Sequence, residues 1–271
     1  MNSLENYKII DCHCHIYPDA IVERAVEAIE GFYDNQYKGF DGKTSTMIEN
    51  GKRAGVEHFV VFSVATTPHQ VHSINNFIAS SVEKSKGMFT GLGTLHPYSE
   101  TLPSDFEELY ALGLKGVKLH PDFQKIAIDD PRCEEIYRLC QGKVPVLLHT
   151  GDYRYDYSNP LRMKRMLEKF PECIFIGAHF GGWSVWDEAA KELSVYKNFY
   201  VDTSSSFSDI SSEKAKELIE IYTPDRVLFG TDYPLGDCEK EIKALRNVCS
   251  DENSLRKILC ENSVGIFDIN L

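Results

Sequence analysis

The sequence predicts an α/β protein, a (β/α)8 TIM barrel, over its 271 residues. Eight near-continuous apolar runs, rich in β-branched and aromatic residues, are typical of strands buried on both faces of a parallel sheet. A segment with helical periodicity follows each run, and this unit repeats about every 25–35 residues, as expected for a barrel. An open doubly wound sheet would favour a glycine-rich phosphate-binding loop after the first strand, and the sequence has none there.

The predicted elements follow one another without a linker-like change of composition, so we expect one domain over residues 1–271. The predicted strands are residues 8–15, 57–64, 88–95, 116–120, 144–149, 173–179, 198–203 and 226–232. The predicted helices are residues 20–29, 46–54, 68–86, 104–112, 131–140, 160–170, 183–196, 211–222, 238–248 and 254–259. Ser104 is expected to cap the fourth helix, and Pro121 to end the fourth strand. Residues 31–43 are expected to form a loop over one end of the fold.

The composition argues against several classes of protein. A net charge of -12 disfavours a nucleic-acid-binding protein, which would need a basic stripe to contact phosphates. The N-terminus lacks the basic and apolar regions of a signal peptide, and no apolar run reaches the ~18 residues that span a membrane. Cys12, Cys14, Cys173 and Cys260 lie within or beside apolar runs, where they are interpreted as small buried hydrophobic residues. We therefore expect a reduced, cytoplasmic protein with a small-molecule substrate, no nucleic acid and no membrane, and leave a homodimer open.

The opening strand ends in His13-Cys14-His15. Because side chains alternate along a strand, both imidazoles are expected on one face, about 6–7 Å apart, with Cys12 and Cys14 on the other face. Two imidazoles placed in this way can converge on one metal ion. The same spacing is compatible with two structural histidines at a strand end, so this motif alone leaves both interpretations open.

Later strands also end in polar side chains that could join these two histidines. In a (β/α)8 barrel the carboxyl ends of the strands meet at one mouth, where catalytic residues lie. The candidates in chain order are Ser63, His96, Lys118, His120, His149, His179, Asp202 and Asp232. A single strand-end histidine is usually structural. The combination is different, and it predicts a divalent-metal site formed by His13, His15, His149, His179 and Asp232. Zinc suits this mixture of imidazole and carboxylate ligands.

This combination resembles the amidohydrolase superfamily of metal-dependent barrel enzymes. The matching positions are His13 and His15 after the first strand, His149 after the fifth, His179 after the sixth and Asp232 after the eighth. Residues 116–121 (Gly-Val-Lys-Leu-His-Pro), 148–151 (Leu-His-Thr-Gly) and 230–234 (Gly-Thr-Asp-Tyr-Pro) are similar to the amidohydrolase-related family. That family includes the relatives of aminocarboxymuconate semialdehyde decarboxylase. The resemblance extends over almost the whole chain.

The resemblance implies that His13, His15, His149 and Asp232 are metal ligands. It implies that His179 either lies beside the reacting water or binds a second ion. Asp232 is then the group that accepts the proton of the water and passes it on, and His179 polarises the scissile carbonyl.

The fourth strand carries Lys118 and His120 on one face. Many two-metal relatives have a carboxylated lysine there, but neither residue is an unambiguous bridge, so one ion is expected rather than two. Both are predicted to contact the substrate, as is Arg154 in the tyrosine-rich loop at residues 151–157. A buried counter-charge for Lys118 and a solvated loop for Arg154 are the alternatives.

The implied function is metal-dependent hydrolysis of a small ester, lactone or amide through a metal-activated water. The alternative is a metal-dependent, non-oxidative decarboxylase of an aromatic or unsaturated acid, in which His179 would protonate a carbon as carbon dioxide leaves. The two reactions use almost the same ligands, so the motifs do not separate them. A TatD-like nuclease is disfavoured by the missing glutamate on the fourth strand and the acidic net charge. A barrel without activity is disfavoured by the intact ligand set.

Overall fold

The computed structural model describes residues 8–34 and 36–271, so Asn35 and the N-terminal residues, where no signal peptide was predicted, lie outside the described part. Eight strands run in parallel through this part of the chain. They are β1 (Ile9–His15), β2 (Val56–Phe62), β3 (Phe89–Gly91), β4 (Val117–Leu119), β5 (Val146–Leu148), β6 (Phe175–Gly177), β7 (Phe199–Asp202) and β8 (Val227–Leu228). All eight predicted strands are present, most of them shorter than predicted.

The strands form one closed barrel. Regular backbone hydrogen bonding joins neighbouring strands in the order β1-β2-β3 in one sheet and β4-β5-β6-β7-β8 in another. Between β3 and β4, the Lys118 amide donates a hydrogen bond to the Gly93 carbonyl (2.8 Å). Between β8 and β1, the Cys12 amide donates to the Phe229 carbonyl (2.9 Å). The predicted (β/α)8 fold is therefore confirmed.

Helices surround the barrel. They are α1 (Val22–Phe32), α2 (Thr44–Ala54), α3 (Val71–Lys84), α4 (Leu102–Ala111), α5 (Pro121–Gln124), α6 (Pro131–Cys140), α7 (Pro160–Lys169), α8 (Trp186–Leu193), α9 (Ser212–Tyr222), α10 (Cys238–Val248), α11 (Glu252–Arg256) and α12 (Asn262–Phe267). Among residues 8–34 and 36–271, none of the helices has the length and apolar character needed to cross a membrane.

The predicted start of the fourth helix is wrong, and the short helix α5 was not predicted, both for identifiable reasons. Helix α4 begins at Leu102 and not after Ser104, because Pro103 is tolerated in a first turn; the Ser104 hydroxyl donates to the Thr101 carbonyl instead (2.9 Å). Pro121 likewise starts the short helix α5 rather than only ending β4. The His120 imidazole caps this helix by accepting a hydrogen bond from the Phe123 amide (3.3 Å).

Apolar residues from most of the strands fill the inside of the barrel. This inner core includes Ile10, Cys12, Val60, Phe62, Leu92, Leu147, Ile176 and Leu228. A shift of register between Asp11 and Cys14 explains why Cys12 packs inward while Cys14 packs against the helices, although strict alternation predicted one face for both. All eight cysteines are free and buried, as the sequence predicts for the four discussed above.

Asp11 ties β1 to the segment that follows β8. Its buried carboxylate accepts hydrogen bonds from the Thr231 amide (3.0 Å) and hydroxyl (2.6 Å). Replacing Thr231 by valine removes one donor from a buried carboxylate, so we expect the free energy of unfolding to fall by about 1–3 kcal/mol. Urea denaturation measures this loss. The matched control is Thr150→Val, whose buried hydroxyl donates only to the neutral Ala178 carbonyl; equal losses in the two variants would contradict the role given to Asp11.

Candidate metal centre

The two histidines of β1 meet a carboxylate that follows β8. His13 Nε2 lies 3.3 Å from Asp232 Oδ1, and His15 Nε2 lies 3.4 Å from the same oxygen. The donor atoms of the three side chains all lie within 4.8 Å of one another, and all three residues are buried. This convergence is what the His13-x-His15 spacing and the strand-end position of Asp232 predict.

The histidines that follow β5 and β6 complete the cluster. His149 Nδ1 lies 3.0 Å from His179 Nε2, and the His179 ring centroid is 5.4 Å from that of His13. One cavity is lined by all five predicted residues together with Lys118 and His120. We call the five residues the metal-type cluster and this space the metal-type cavity. The structure thus brings the predicted metal ligands together at one mouth of the barrel, while their role as ligands stays a prediction.

Hydrogen bonds with residues outside the cavity determine which nitrogen of His13 and of His179 can bind a cation. Asp202 Oδ2 lies 2.8 Å from His13 Nδ1, and the Ser204 carbonyl lies 2.9 Å from His179 Nδ1. Because a carboxylate and a carbonyl only accept, the Nδ1 atom of each ring carries the hydrogen, which leaves Nε2 of His13 and of His179 free to bind a cation. Burial alone would raise the pKa of Asp202, but the adjacent His13 lowers it below its usual value.

Asp202 was named from the sequence only as a strand-end candidate, without a role. The available signal was an acidic residue at the end of a buried strand, followed by Thr-Ser-Ser-Ser. Ser205 in this segment donates from its hydroxyl to Asp232 Oδ2 (2.7 Å). The end of β7 and the loop after it therefore hold the metal-type cluster in place by hydrogen bonds that involve Asp202, Ser204 and Ser205.

We expect Asp202→Asn to weaken metal binding about 10- to 100-fold, as is typical for the loss of an outer carboxylate. The amide nitrogen of asparagine can face His13 Nδ1 and favour the other tautomer, which places a hydrogen on Nε2 and blocks its lone pair. Competition with a chelating dye measures the affinity. Asp130→Asn, at the start of α6, is the control. If the metal affinity of Asp202→Asn were as close to wild type as that of Asp130→Asn, this role for Asp202 would be contradicted.

The backbone at two of the clustered residues is strained. His179 and Asp232 have φ values of 59° and 68°, in the left-handed region that side chains with a Cβ rarely adopt. Local bonds hold them there: the His179 amide donates to Asp202 Oδ1 (3.1 Å), and the Asp232 amide donates to the His13 carbonyl (2.9 Å). Strain of about 1–3 kcal/mol per residue persists where surrounding structure fixes it, which is common at functional sites.

The protonation of His149 shows that the cluster suits a cation. Burial lowers the pKa of both His149 and His179, so both rings are neutral near pH 7 and each has one donor nitrogen. If His149 Nδ1 donates to His179 Nε2, then His149 Nε2 is a buried nitrogen without a hydrogen-bond partner among the described residues. If Nε2 instead carries the hydrogen toward Asp122 Oδ2, 3.8 Å away, two bare nitrogens face each other. A divalent cation removes this conflict, and four imidazoles with a carboxylate are a suitable donor set for zinc or a similar ion.

Lys118 and His120 of the β4 segment lie in the same cavity. Lys118 Nζ donates to His13 Nε2 (3.2 Å), and burial lowers the pKa of this amine to about 8. The His120 ring stacks between Phe123 and His149, with centroid distances of 3.7 Å and 4.1 Å. Both residues can reach a bound substrate from these positions, and their predicted contact with it stays a prediction.

Arg154 is engaged elsewhere. Its guanidinium donates twice to the buried Asp152 carboxylate (3.0 and 2.8 Å) and once to the Phe32 carbonyl at the end of α1 (2.7 Å). It does not line the metal-type cavity among the described residues. Its position is that of a tether between α1 and the loop after β5, so the predicted substrate contact of Arg154 has no support in this arrangement and stays a prediction.

The family of the chain follows from its match to a known model. A family model described as "Amidohydrolase" (Amidohydro_2) matches residues 10–269. The chain belongs to this amidohydrolase family. The family membership predicted from the sequence is confirmed, and with it an enzyme of the amidohydrolase superfamily. No curated protein matches the chain at a significant level.

Solved structures share the fold of this amidohydrolase along its whole length. An uncharacterised TIM-barrel protein from Bordetella bronchiseptica has a TM-score of 0.82 at 19% identity, covering 97% of this chain and 99% of that chain. A 5-carboxyvanillate decarboxylase from Sphingomonas paucimobilis has a TM-score of 0.72 at 15% identity, covering 97% and 99%. A 5-carboxyvanillate decarboxylase from Novosphingobium aromaticivorans, solved with manganese and 4-hydroxy-3-methoxy-5-nitrobenzoic acid, has a TM-score of 0.75 at 15% identity, covering 98% and 97%. At these identities the likeness shows the fold alone.

Proposed function

We propose that this amidohydrolase is a metal-dependent, non-oxidative decarboxylase of an aromatic or unsaturated carboxylic acid. The observation that carries the proposal is the composition of the metal-type cavity. Besides the histidines and Asp232, it is lined by the apolar and aromatic side chains of Ile29, Tyr33, Phe123 and Leu235. These lining residues suit a flat acid that places its carboxylate against the polar cluster and its ring against the apolar side chains. The cavity itself has a volume of only about 20 Å³, so the ring would extend beyond it.

The structural neighbours support this reaction over hydrolysis, which the sequence analysis placed first. Two of the neighbours above are decarboxylases of an aromatic acid, 5-carboxyvanillate. Hydrolysis of a small ester, lactone or amide remains the second candidate, because the same donor set can serve both reactions.

We propose that one divalent ion is held by His13, His15, His149 and Asp232, with His179 beside it. Zinc suits these donors, and the manganese of one neighbour makes manganese the alternative. The ion would polarise oxygen atoms of the substrate and stabilise the negative charge that develops in the transition state.

The cavity residues have distinct tasks in the proposed reaction. The bond between carbon and carboxylate breaks, its electron pair stays on the carbon, carbon dioxide leaves, and a proton must reach that carbon. We assign the delivery of this proton to His179 Nε2, which faces the cavity; because the neutral ring carries its hydrogen on Nδ1, Nε2 must first take up a proton from the solvent. Burial disfavours the charged form of His179, and the nearby Asp232 carboxylate opposes this by raising its pKa. Lys118, a buried cation lining the cavity, is placed to bind the substrate carboxylate.

The test separates the two candidate reactions. The metal-loaded enzyme is incubated in D2O with a panel of hydroxybenzoic and unsaturated acids, and with a second panel of esters, lactones and amides. We expect carbon dioxide release from an acid, with one deuterium at the carbon that carried the carboxylate. Turnover of the second panel alone, with no carbon dioxide released by any acid, would replace the proposal with hydrolysis.

A further inference from the structure

A second cavity, of about 740 Å³, lies between α1 and α3. We call it the α1–α3 groove. Its α1 side presents Ala25, Ala28 and Phe32, which are three and four residues apart and so share one helix face. Its α3 side presents Ile74 and Phe77, at the same kind of spacing. These apolar side chains are at most partly buried, so the two helices border a space and do not pack closely against each other.

The groove adjoins the metal-type cavity. His15, Ile29 and Phe123 line both spaces. A molecule that extends from the cluster past His15 would therefore enter the groove. The groove volume lies within the roughly 300–1,000 Å³ that is typical of small-molecule sites, so it can hold a substantial part of a ligand.

The charges of the groove favour an anion at its edge. Arg24 and Lys125 line it, are exposed, and form no ion pair with any residue in the described part of the chain. The one carboxylate among its lining residues, Asp122, is buried and accepts a hydrogen bond from the Ser158 hydroxyl (2.6 Å). In a chain of net charge -12, a groove whose exposed charges are both positive is an unusual surface.

We propose that the α1–α3 groove is a substrate subsite, which binds an apolar arm ending in a second anionic group. The substrate class is then an elongated acid with two anionic ends, one at the metal-type cluster and one near Arg24 and Lys125. This proposal depends on the proposed function only in assigning which of the two ends reacts. The apolar faces of α1 and α3 bind the arm by burial, and the two cations select the anionic end.

The first experiment uses 8-anilinonaphthalene-1-sulfonate, an apolar fluorescent anion, and needs no turnover. Ala28→Trp fills the groove, so we expect dye affinity to fall about tenfold or more. Glu27→Trp is the control, because Glu27 is exposed on the same helix but does not line the groove. Arg24→Glu should weaken binding severalfold, less so at high salt, while Arg53→Glu on α2 should not. Equal dye binding by Ala28→Trp and Glu27→Trp would overturn the proposal.

The second experiment compares benzoate with biphenyl dicarboxylate, whose carboxylates lie at opposite ends, by calorimetry on the metal-loaded enzyme. We expect the longer acid to bind at least about tenfold more tightly, and Ala28→Trp to remove this preference without changing benzoate binding. Equal affinity for both acids would overturn the subsite, even if decarboxylation were observed. Failure of decarboxylation with the preference intact would overturn only the proposed reaction. A dimer that separates in Ala28→Trp and excludes the dye would show a second copy in the groove, and would also overturn the subsite.

Discussion

Replacing Asp232 by asparagine is expected to lower turnover about 10²- to 10⁴-fold, the usual contribution of a group that supports general acid–base catalysis. The reason is electrostatic. Asp232 is the carboxylate that favours a proton on His179 in a buried cavity, and a neutral amide gives no such support. The barrel should stay folded, because asparagine has nearly the same shape and the Ser205 hydroxyl can rotate to accept from the new amide.

The measurement is turnover together with metal content on the same samples, since Asp232 Oδ1 also lies beside His13 and His15. Ser205→Ala is the matched control: it removes one hydrogen bond to Asp232 Oδ2 and keeps the negative charge. We expect its loss of turnover to be much smaller. Full activity of Asp232→Asn with normal metal content would show that the carboxylate is structural, and the mechanism would be wrong.

The sequence was sufficient to predict the barrel because its signal is local. Strands buried on both faces need continuous apolar runs, and such runs are visible without any knowledge of their neighbours. The carboxyl ends of parallel strands then meet by geometry alone, which explains why residues as far apart as His13 and Asp232 could be predicted to lie together.

The support of the cluster could not be predicted because it depends on pairs that are distant in the chain. Asp202 lies 189 residues from His13, and a strand-end aspartate looks the same whether it faces a histidine or solvent. The shift of register after Asp11 is a similar case, since it places Cys12 and Cys14 on different faces of the strand, against the rule of alternation. Arg154 was assigned to the substrate from charge alone, and its position depends on Asp152 and α1.

Replacing His15 by alanine should have a second large effect, which differs in kind from that of Asp232→Asn because asparagine keeps an oxygen that can bind the ion and alanine keeps no ligand atom. His15 is buried and offers Nε2 to the cluster, so its loss removes a proposed ligand. Metal affinity should fall by more than the roughly 10- to 100-fold typical of losing an outer partner, and activity should fall with it. Elemental analysis after dialysis, with turnover on the same samples, is the measurement, and wild type should retain one equivalent of a divalent ion per chain.

The matched control is His96→Ala. His96 is also a buried histidine after a strand, but its ring does not line the metal-type cavity among the described residues, and its Nδ1 accepts from the Tyr98 amide (3.2 Å). We therefore expect it to keep both metal and turnover while losing some stability, because removing a buried side chain leaves a cavity. If His15→Ala kept its metal as well as His96→Ala does, His15 would not be a ligand. Two equivalents in wild type would contradict the single ion, and Lys118, 3.2 Å from His13 Nε2, would then be the residue to examine as a bridge.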